Sequence, residues 1–341
     1  MTSDREPKTM RAWLYSTASG GLEKNLKLSE ATVQPVAKDQ VLVKVHSTSL
    51  NPADYKVPEL GMVARLAIST PAAPCMDFSG TVEEVGDDVK SADAFRVGEK
   101  VFGRVAPQQY GGLSEFVSAK PECLAKLPEG VSEEHASCIG TAGMTAYQCI
   151  APHVKAGDKV FINGGSGGVG TFGIQIAKAL GCQVTTSCSG KNAELVKSLG
   201  ADEVIDYTKE NVSEVLKSKG QVFKLAVDNV GHPADLYKAG DAYLVPEGKF
   251  VQVGGDMSLG AMSSLATRAL QPSFLGGGKR SWQFLVTASK HDDLVQVGKL
   301  MQEGKVKAVI DETFEFKDAP KAFEKLKTGR SRGKIVVQGS K

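Results

Sequence analysis

The sequence has no apolar run approaching the roughly 18 to 20 residues a membrane-spanning helix needs, which argues against an integral helical membrane protein. Its first seven residues are too polar for a secretory leader, so a soluble, cytoplasmic protein is expected. There is no Cys-x-x-Cys motif and no cysteine framework. Cys75, Cys123, Cys138, Cys149, Cys182 and Cys188 are scattered, which suits free thiols in a reducing compartment better than disulfides. Cys182 and Cys188 read as small buried residues at strand edges. An excess of charge of either sign is missing as well. The 41 basic and 39 acidic residues are interspersed, giving a net charge of +2, so no face suited to nucleic acid or an anionic membrane stands out. A small-molecule partner is expected. Internal repeats and low-complexity tracts are also absent.

What is present is an enzyme-like balance, 41% hydrophobic and 23% charged over 341 residues, long enough for two domains. The first third holds short strand-like runs at 41–45, 80–85 and 100–103 between Pro and Gly punctuation, a β-rich pattern. From about residue 155 the rhythm becomes strand then helix. Strands are expected at 160–162 and 183–187, with helices reaching 180 and spanning 192–199, and further strands at 204, 224–227 and 249–253. Such alternation implies an α/β fold with a doubly wound parallel sheet. A last sheet strand at 282–286 is followed by a helix from about Asp292, a strand near Phe314 and a helix N-capped by Asp318 with Pro320 in its first turn. A final strand lies at 334–337.

The strand at 160–163 runs into Gly164-Gly165-Ser166-Gly167-Gly168-Val169-Gly170, after which Ile174, Ile176, Ala177 and Leu180 supply helical periodicity. Gly165, Gly167 and Gly170 form a GxGxxG between a strand and a helix, the context a dinucleotide pyrophosphate needs: a tight turn, close backbone approach and a helix N-terminus facing the anion. An NAD site usually follows with an acid about 20 residues on. Here 187–192 reads Ser-Cys-Ser-Gly-Lys-Asn. An acid would repel a 2′-phosphate, whereas Ser189, Lys191 and Asn192 are able to donate hydrogen bonds to it, so NADPH is expected. Lys191 alternatively reads as a solvated lysine at a helix start. Gly254 and Gly255 end a strand where ligands of such sheets gather. Phe274 and Leu275, before three glycines, read either as lining a nicotinamide pocket or as plain loop.

Together, Asn51-Pro52-Ala53-Asp54-Tyr55-Lys56, Asp77-Phe78-Ser79-Gly80, the stretch 98–103, Gly112-Leu113-Ser114-Glu115-Phe116, the stretches 140–147 and 166–170, Leu199-Gly200-Ala201-Asp202 and Ile205-Asp206-Tyr207 resemble the medium-chain dehydrogenase/reductase superfamily, especially its zinc-free quinone oxidoreductase and enoyl reductase branch. The resemblance implies a GroES-like β-rich substrate domain, residues 1–131 and 288–341, and a Rossmann domain binding NADPH, residues 132–287. It also implies a homodimer. It further places Asn51 and Thr145 by the nicotinamide, Ser166, Gly167, Gly168, Val169 and Gly170 at the pyrophosphate, and Tyr207 near the adenosine phosphate.

In zinc alcohol dehydrogenases of this superfamily the first catalytic ligand is a cysteine, and the matching residue here is Asn51. The histidine ligand position holds Met76, and Cys138 falls near the third. One thiol does not make a tetrahedral zinc site, so no metal is expected. Without a Lewis acid, a conjugated acceptor is the easier substrate, because the hydride's charge moves to a distant oxygen that hydrogen bonds stabilise. A quinone or an α,β-unsaturated carbonyl is therefore expected, with Tyr55 or Lys56 donating to the developing oxyanion. The other readings of that pair are a core-edge aromatic and a solvated lysine, with solvent as proton source. Asp54 reads as a structural hydrogen-bond acceptor. Two alternatives stand beside this reading: a trans-acting enoyl reductase for a carrier-protein or CoA thioester, and an NADPH-binding protein without turnover.

Overall fold

A computed structural model describes residues 8–109, 111–254 and 278–340; Gly255, Phe274 and Leu275 lie outside the described residues. The chain begins with strands β1 (Thr9–Leu14), β2 (Lys27–Thr32) and β3 (Val41–Leu50), followed by the short helices α1 (Pro52–Lys56) and α2 (Met62–Arg65). Strands β4 (Asp77–Val85), β5 (Lys100–Arg104), β6 (Phe116–Ala119) and β7 (Leu124–Lys126) lead to helix α3 (Glu133–Ser137) and helix α4 (Met144–Ile150). Alternation then sets in: β8 (Lys159–Asn163), α5 (Gly168–Ala179), β9 (Gln183–Cys188), α6 (Ala193–Ser198), β10 (Glu203–Asp206), α7 (Val212–Ser218), β11 (Phe223–Asp228), α8 (Leu236–Tyr243), β12 (Leu244–Gln252) and β13 (Ser281–Phe284). Helix α9 (His291–Gln302), strand β14 (Ile310–Phe314), helix α10 (Ala319–Lys327) and strand β15 (Lys334–Gln338) complete it.

Two compact units result: Met1–Ala142 with Ser289–Gln302 and Ala308–Lys341, and Gly143–Ala288 with Glu303–Lys307. Their borders differ from the sequence reading at three places: residue 288 falls in the second unit, and the other two differences each have a local cause. Residues 132–142 join the first unit because α3 packs on β3 and β4, where Ser79 Oγ donates to Glu133 O at 2.8 Å. Residues 303–307 join the second because the Gln175 amide bonds both the N–H and the carbonyl of Lys307, at 2.9 Å each.

In the first unit a seven-stranded sheet runs β14-β15-β3-β4-β5-β7, with β6 also paired to β3, while β1 and β2 form a separate antiparallel ribbon. Val41, Val43 and Val45 of β3 pack with Phe78, Val82 and Val101 in one apolar core. A bulge between Val45 and Ser47 then shifts the register, and beyond it Ser47 and Ser49 are buried where valines stood before. That change of residue type marks the start of a buried polar network. A second core, around Trp13, Leu50, Phe323 and Ile335, seats α10 against the sheet.

The second unit is built on a six-stranded sheet, β10-β9-β8-β11-β12-β13, with every pairing parallel. Phe161, Phe223, Tyr243 and Phe250 fill one face of it, the first three in edge-on ring contacts. Asp318 occupies the position before α10, but its side chain makes no capping bond; it holds Lys321 Nζ at 2.7 Å instead. All six cysteines are buried and unbridged. Among the described residues no helix is long and apolar enough to cross a membrane.

Candidate functional site

In the second unit the strand order reverses between β8 and β11, whose last residues, Asn163 and Asp228, are register partners. Ligands of open parallel sheets gather at such a switch point. Asn163 Nδ2 donates to Asp228 Oδ1 at 2.8 Å, and Asp228 Oδ1 also accepts the N–H groups of Val230 and Gly231, which fixes the loop after β11. The glycine loop is tied to β9: Gly165 N–H donates to Ser187 O at 2.9 Å and Gly164 N–H to Ser187 Oγ at 3.0 Å. A Cβ on Gly165 would fall 2.0 Å from Thr186 Oγ1, and one on Gly170 would fall 2.2 Å from Gly164 O. Gly167 is different, since a Cβ there would meet nothing of the described protein closer than 3.6 Å. Protein packing therefore explains two of the three glycines and leaves the face of Gly167 open. Gly167 is also the N-cap of α5, which has no side-chain cap and no acid in its first turn, so its N-terminal dipole is not offset by a carboxylate.

Three of the expected cofactor residues meet here. Asn192 Nδ2 donates to Ser166 Oγ at 3.1 Å and to Ser189 Oγ at 3.3 Å. Asn192 and Ser189 are buried, and Asn192 Oδ1 has no hydrogen-bond partner among the described residues. Lys191 is exposed beside them, and Tyr207, 58% exposed, follows β10 with its N–H on Cys188 O at 3.2 Å. Residues 187–192 contain no acid, but the neighbouring strand brings one. Asp206 Oδ1 accepts the Gly190 N–H at 2.9 Å and the Thr208 hydroxyl at 2.7 Å, and the hydroxyl above all, against some desolvation, holds its carboxyl below the usual range. The sequence reading missed Asp206 because it searched one strand end, whereas strand pairing makes the end of β10 a neighbour of β9.

Elsewhere in this unit, Thr145 is buried on α4 and its hydroxyl shares a hydrogen bond with Thr287. Gly254 donates its N–H to Asp228 O at 3.2 Å, and a Cβ on it would fall 1.9 Å from Asn229 O, so no larger residue fits.

In the first unit the polar network begins where β3 enters α1. Asp54, third residue of α1, reaches back to the Asn51 N–H at 2.7 Å and also accepts the Met76 N–H at 3.1 Å. Asn51 Nδ2 donates to Asp77 Oδ2 at 2.8 Å, while its carbonyl accepts from Lys334 Nζ, which donates to Leu50 O at 2.8 Å as well. Asp77 further accepts from Thr141 Oγ1 at 2.6 Å and Ser49 Oγ at 3.2 Å, and Lys334 Nζ lies 3.7 Å from its carboxylate. Asn51, Asp54, Asp77 and Lys334 are all at least 96% buried. Burial first, then the negative charge of Asp77, raises the Asp54 carboxyl to about 7 against the pull of the Asn51 N–H and Lys334. Lys334 was not found from sequence, because 283 positions separate it from Asn51 and only the pairing of β15 with β3 joins them.

Tyr55 lies on the same short helix, half-buried against the second core with Lys327 Nζ 5.4 Å from its ring centre. Burial and the nearby Glu59 raise its phenol above the usual value. Lys56, partly exposed, ends the helix. The positions that match zinc ligands carry a donor set that does not fit the ion. The Asn51 carboxamide is engaged at both ends, Met76 Sδ accepts from Arg104 Nη2 at 3.4 Å, and burial pushes the Cys138 thiol up to about 12, away from the thiolate that zinc binds. Among the described residues no group of three or more His, Cys, Asp or Glu is arranged to hold a metal.

Comparison with known proteins agrees with both units. The family model for the alcohol dehydrogenase GroES-like domain matches residues 37–129, and that for the zinc-binding dehydrogenase domain matches 199–337. The chain is 45% identical to the trans-enoyl reductase pgmF of Aspergillus terreus over 97% of both proteins. It is 33% identical to a chloroplastic quinone oxidoreductase of Triphysaria versicolor, covering 97% of this chain and 99% of that one. Among solved structures, the quinone oxidoreductase from Coxiella burnetii superposes with a TM-score of 0.83 at 33% identity, over 97% of this chain and 99% of that one. With relatives this similar over nearly its whole length, a GroES-like unit and a Rossmann sheet, the chain belongs to the medium-chain dehydrogenase/reductase superfamily of oxidoreductases.

Proposed function

We propose that this protein is an NADPH-dependent reductase that acts, without a metal, on a quinone or on a carbon–carbon double bond conjugated to a carbonyl. The observation that carries this reading is the donor set at the zinc-ligand positions: the Asn51 carboxamide is engaged by Asp77 and Lys334, Met76 Sδ accepts from Arg104, and burial keeps the Cys138 thiol protonated. With no Lewis acid at that place, the acceptor itself must spread the incoming charge. The residues of the second unit fit the dinucleotide: Gly167 has an open face and α5 presents an uncapped N-terminus. NADPH, when bound, supplies the hydride. The chain binds and orients the two partners, excludes water and gives a donor to the oxygen where charge collects.

Two relatives named for different acceptors, a quinone and an enoyl group, make the choice between them experimental. The 45% identity to a trans-enoyl reductase favours the enoyl thioester as second reading. Following NADPH oxidation with a quinone, an enone and an enoyl thioester in parallel, each with and without a chelator, tests the whole proposal. Cofactor binding without turnover of any acceptor would leave a non-enzymatic binding protein; activity abolished by the chelator would refute the metal-free route.

Two variants sharpen the reading. Lys191→Ala is expected to weaken NADPH binding about tenfold while leaving NADH nearly unchanged, because a charge-assisted bond to the 2′-phosphate is worth about 1.5 kcal/mol. Equal affinity of the wild type for the two cofactors, by fluorescence titration, would remove that role. Tyr55→Phe or Lys56→Ala is expected to lower kcat and kcat/KM together by up to about 100-fold, roughly 2.7 kcal/mol, as loss of an oxyanion donor does. Near-normal rates in both variants would assign protonation to solvent.

A further inference from the structure

In the second unit Asp206 ends β10 and is the register partner of Cys188, the last residue of β9. An acid therefore stands at the carboxyl end of the sheet, one strand over from the place where an NAD site carries the acid that binds ribose. The two oxygens of this carboxylate have different surroundings. Oδ1 accepts the Gly190 N–H at 2.9 Å, the Thr208 hydroxyl at 2.7 Å and the Thr208 N–H at 3.1 Å. Oδ2 accepts no hydrogen bond among the described residues, and Lys209 Nζ, at 4.0 Å on a side chain 80% exposed, is its only ion partner there. The Asp206 side chain retains 15% of its exposure, and Oδ2 is open to solvent.

A Cβ on Gly190 would fall 2.3 Å from Oδ2, so this open oxygen lies against the turn that carries Lys191. Lys191 is exposed and makes no ion pair among the described residues. One turn thus bears an unpaired ammonium and has an open carboxylate oxygen beside it. Holding the turn does not call for a carboxylate, because an asparagine carbonyl would meet the same donors as Oδ1. What aspartate adds is a negative charge and a second acceptor at the surface.

We infer that Asp206 is a specificity-determining residue of the cofactor site: Oδ2 accepts the adenosine 2′-hydroxyl of NADH, while the charge opposes the 2′-phosphate of NADPH that Lys191 attracts. The inference rests on the reading of 187–192 as the adenosine end of a dinucleotide site and states how that site chooses. NADPH keeps the advantage of a charge-assisted bond to Lys191. The carboxylate trims that advantage, and NADH remains a working second cofactor.

The test is fluorescence titration of the full-length protein with NADPH, NADH and the NADH analogue whose adenosine lacks the 2′-hydroxyl. The wild type should bind NADH measurably and the deoxy analogue about three- to tenfold more weakly, the effect of one hydrogen bond to a carboxylate at a solvated place. Asp206→Asn should narrow that gap and tighten NADPH about three- to tenfold, because an amide N–H takes the place of the anionic oxygen. Most of the NADPH gain should vanish at about 0.5 M salt, where exposed charges are screened. A role confined to holding the turn would instead shift all three ligands by one factor, and that result overturns the assignment. Equal binding of NADH and its deoxy analogue by the wild type overturns it too, as does a wild type that binds NADPH but not NADH. These wild-type comparisons need no variant, so they decide the matter even if Asp206→Asn does not fold. If none of the three ligands binds, the dinucleotide reading itself fails and the inference falls with it, a result distinct from binding that ignores the 2′ position.

Discussion

Replacing Lys334 with methionine is expected to destabilise the protein by about 3–5 kcal/mol, seen as a large fall in the urea midpoint with little change in slope. Lys334 is 3% exposed, and its ammonium group serves three partners at once: the Leu50 carbonyl, the Asn51 carboxamide and, at 3.7 Å, the Asp77 carboxylate. Methionine keeps most of the bulk but removes the charge and both donated bonds. Asp77 is then left as a fully buried anion beside a second buried carboxyl, Asp54, and the cost arises chiefly from that uncompensated charge rather than from lost packing. The double variant Lys334→Met, Asp77→Asn separates the two causes. Neutralising the stranded carboxylate should restore a substantial part of the loss, since a buried ion pair removed as a pair costs much less than one broken on one side. If the single variant costs under about 1 kcal/mol, or the double variant is no more stable than the single, the ammonium is not what balances this network.

The sequence disclosed the second unit more fully than the first, for a physical reason. Steric demands on a phosphate-binding loop act between near neighbours in the chain: a Cβ on Gly170 would clash with Gly164 and Gly165, so the constraint is written within seven residues. Strand and helix alternation is likewise local, and it yielded the parallel sheet, though the edge strand is Ser281–Phe284 rather than 282–286. The network of the first unit has no such local signature. Lys334 opens the run Lys-Ile-Val-Val-Gln, where a lysine ordinarily reads as the solvated start of a strand, and only pairing with β3 buries it. Asp54, read from the sequence as a structural acceptor rather than a base, accepts the Asn51 and Met76 N–H groups. Asp206, quoted only within a matching segment, was assigned no role for the same reason as Lys334: its significance comes from a neighbouring strand and is not encoded in the residues beside it.

Wild-type stability is expected to fall between about pH 4 and pH 7 through Asp54, and the substitution Asp54→Asn should abolish that component. The Asp54 carboxyl rises from an ordinary 3.8 to about 7 in the folded protein. Between those values the folded state keeps a proton that the unfolded state has released, so raising the pH draws the equilibrium toward unfolding. At 1.36 kcal/mol per unit the whole effect is roughly 4 kcal/mol, complete by about pH 7 and absent below about pH 4. Other groups act elsewhere or cancel. Ion-paired surface acids such as Glu99 and Asp202, held below their usual range, contribute stability that is already present above their unfolded values and is lost only on further acidification. His153, lowered by burial, titrates alike in both proteins and drops out of the difference. The groups facing Asp54 are Asp77, Lys334, Tyr15 and the Cys75 thiol, and burial keeps the last two protonated throughout this range. Asparagine offers one acceptor oxygen where aspartate offers two, so the variant leaves either the Asn51 or the Met76 N–H without its bond, a cost of about 1–3 kcal/mol independent of pH. The variant should therefore be less stable than the wild type near pH 4.5 and gain on it steadily toward pH 7.5. Urea midpoints measured for both proteins across that range give the difference curve, and a flat curve would mean that Asp54 stays ionised in the folded state, with Lys334 and its two N–H donors outweighing burial.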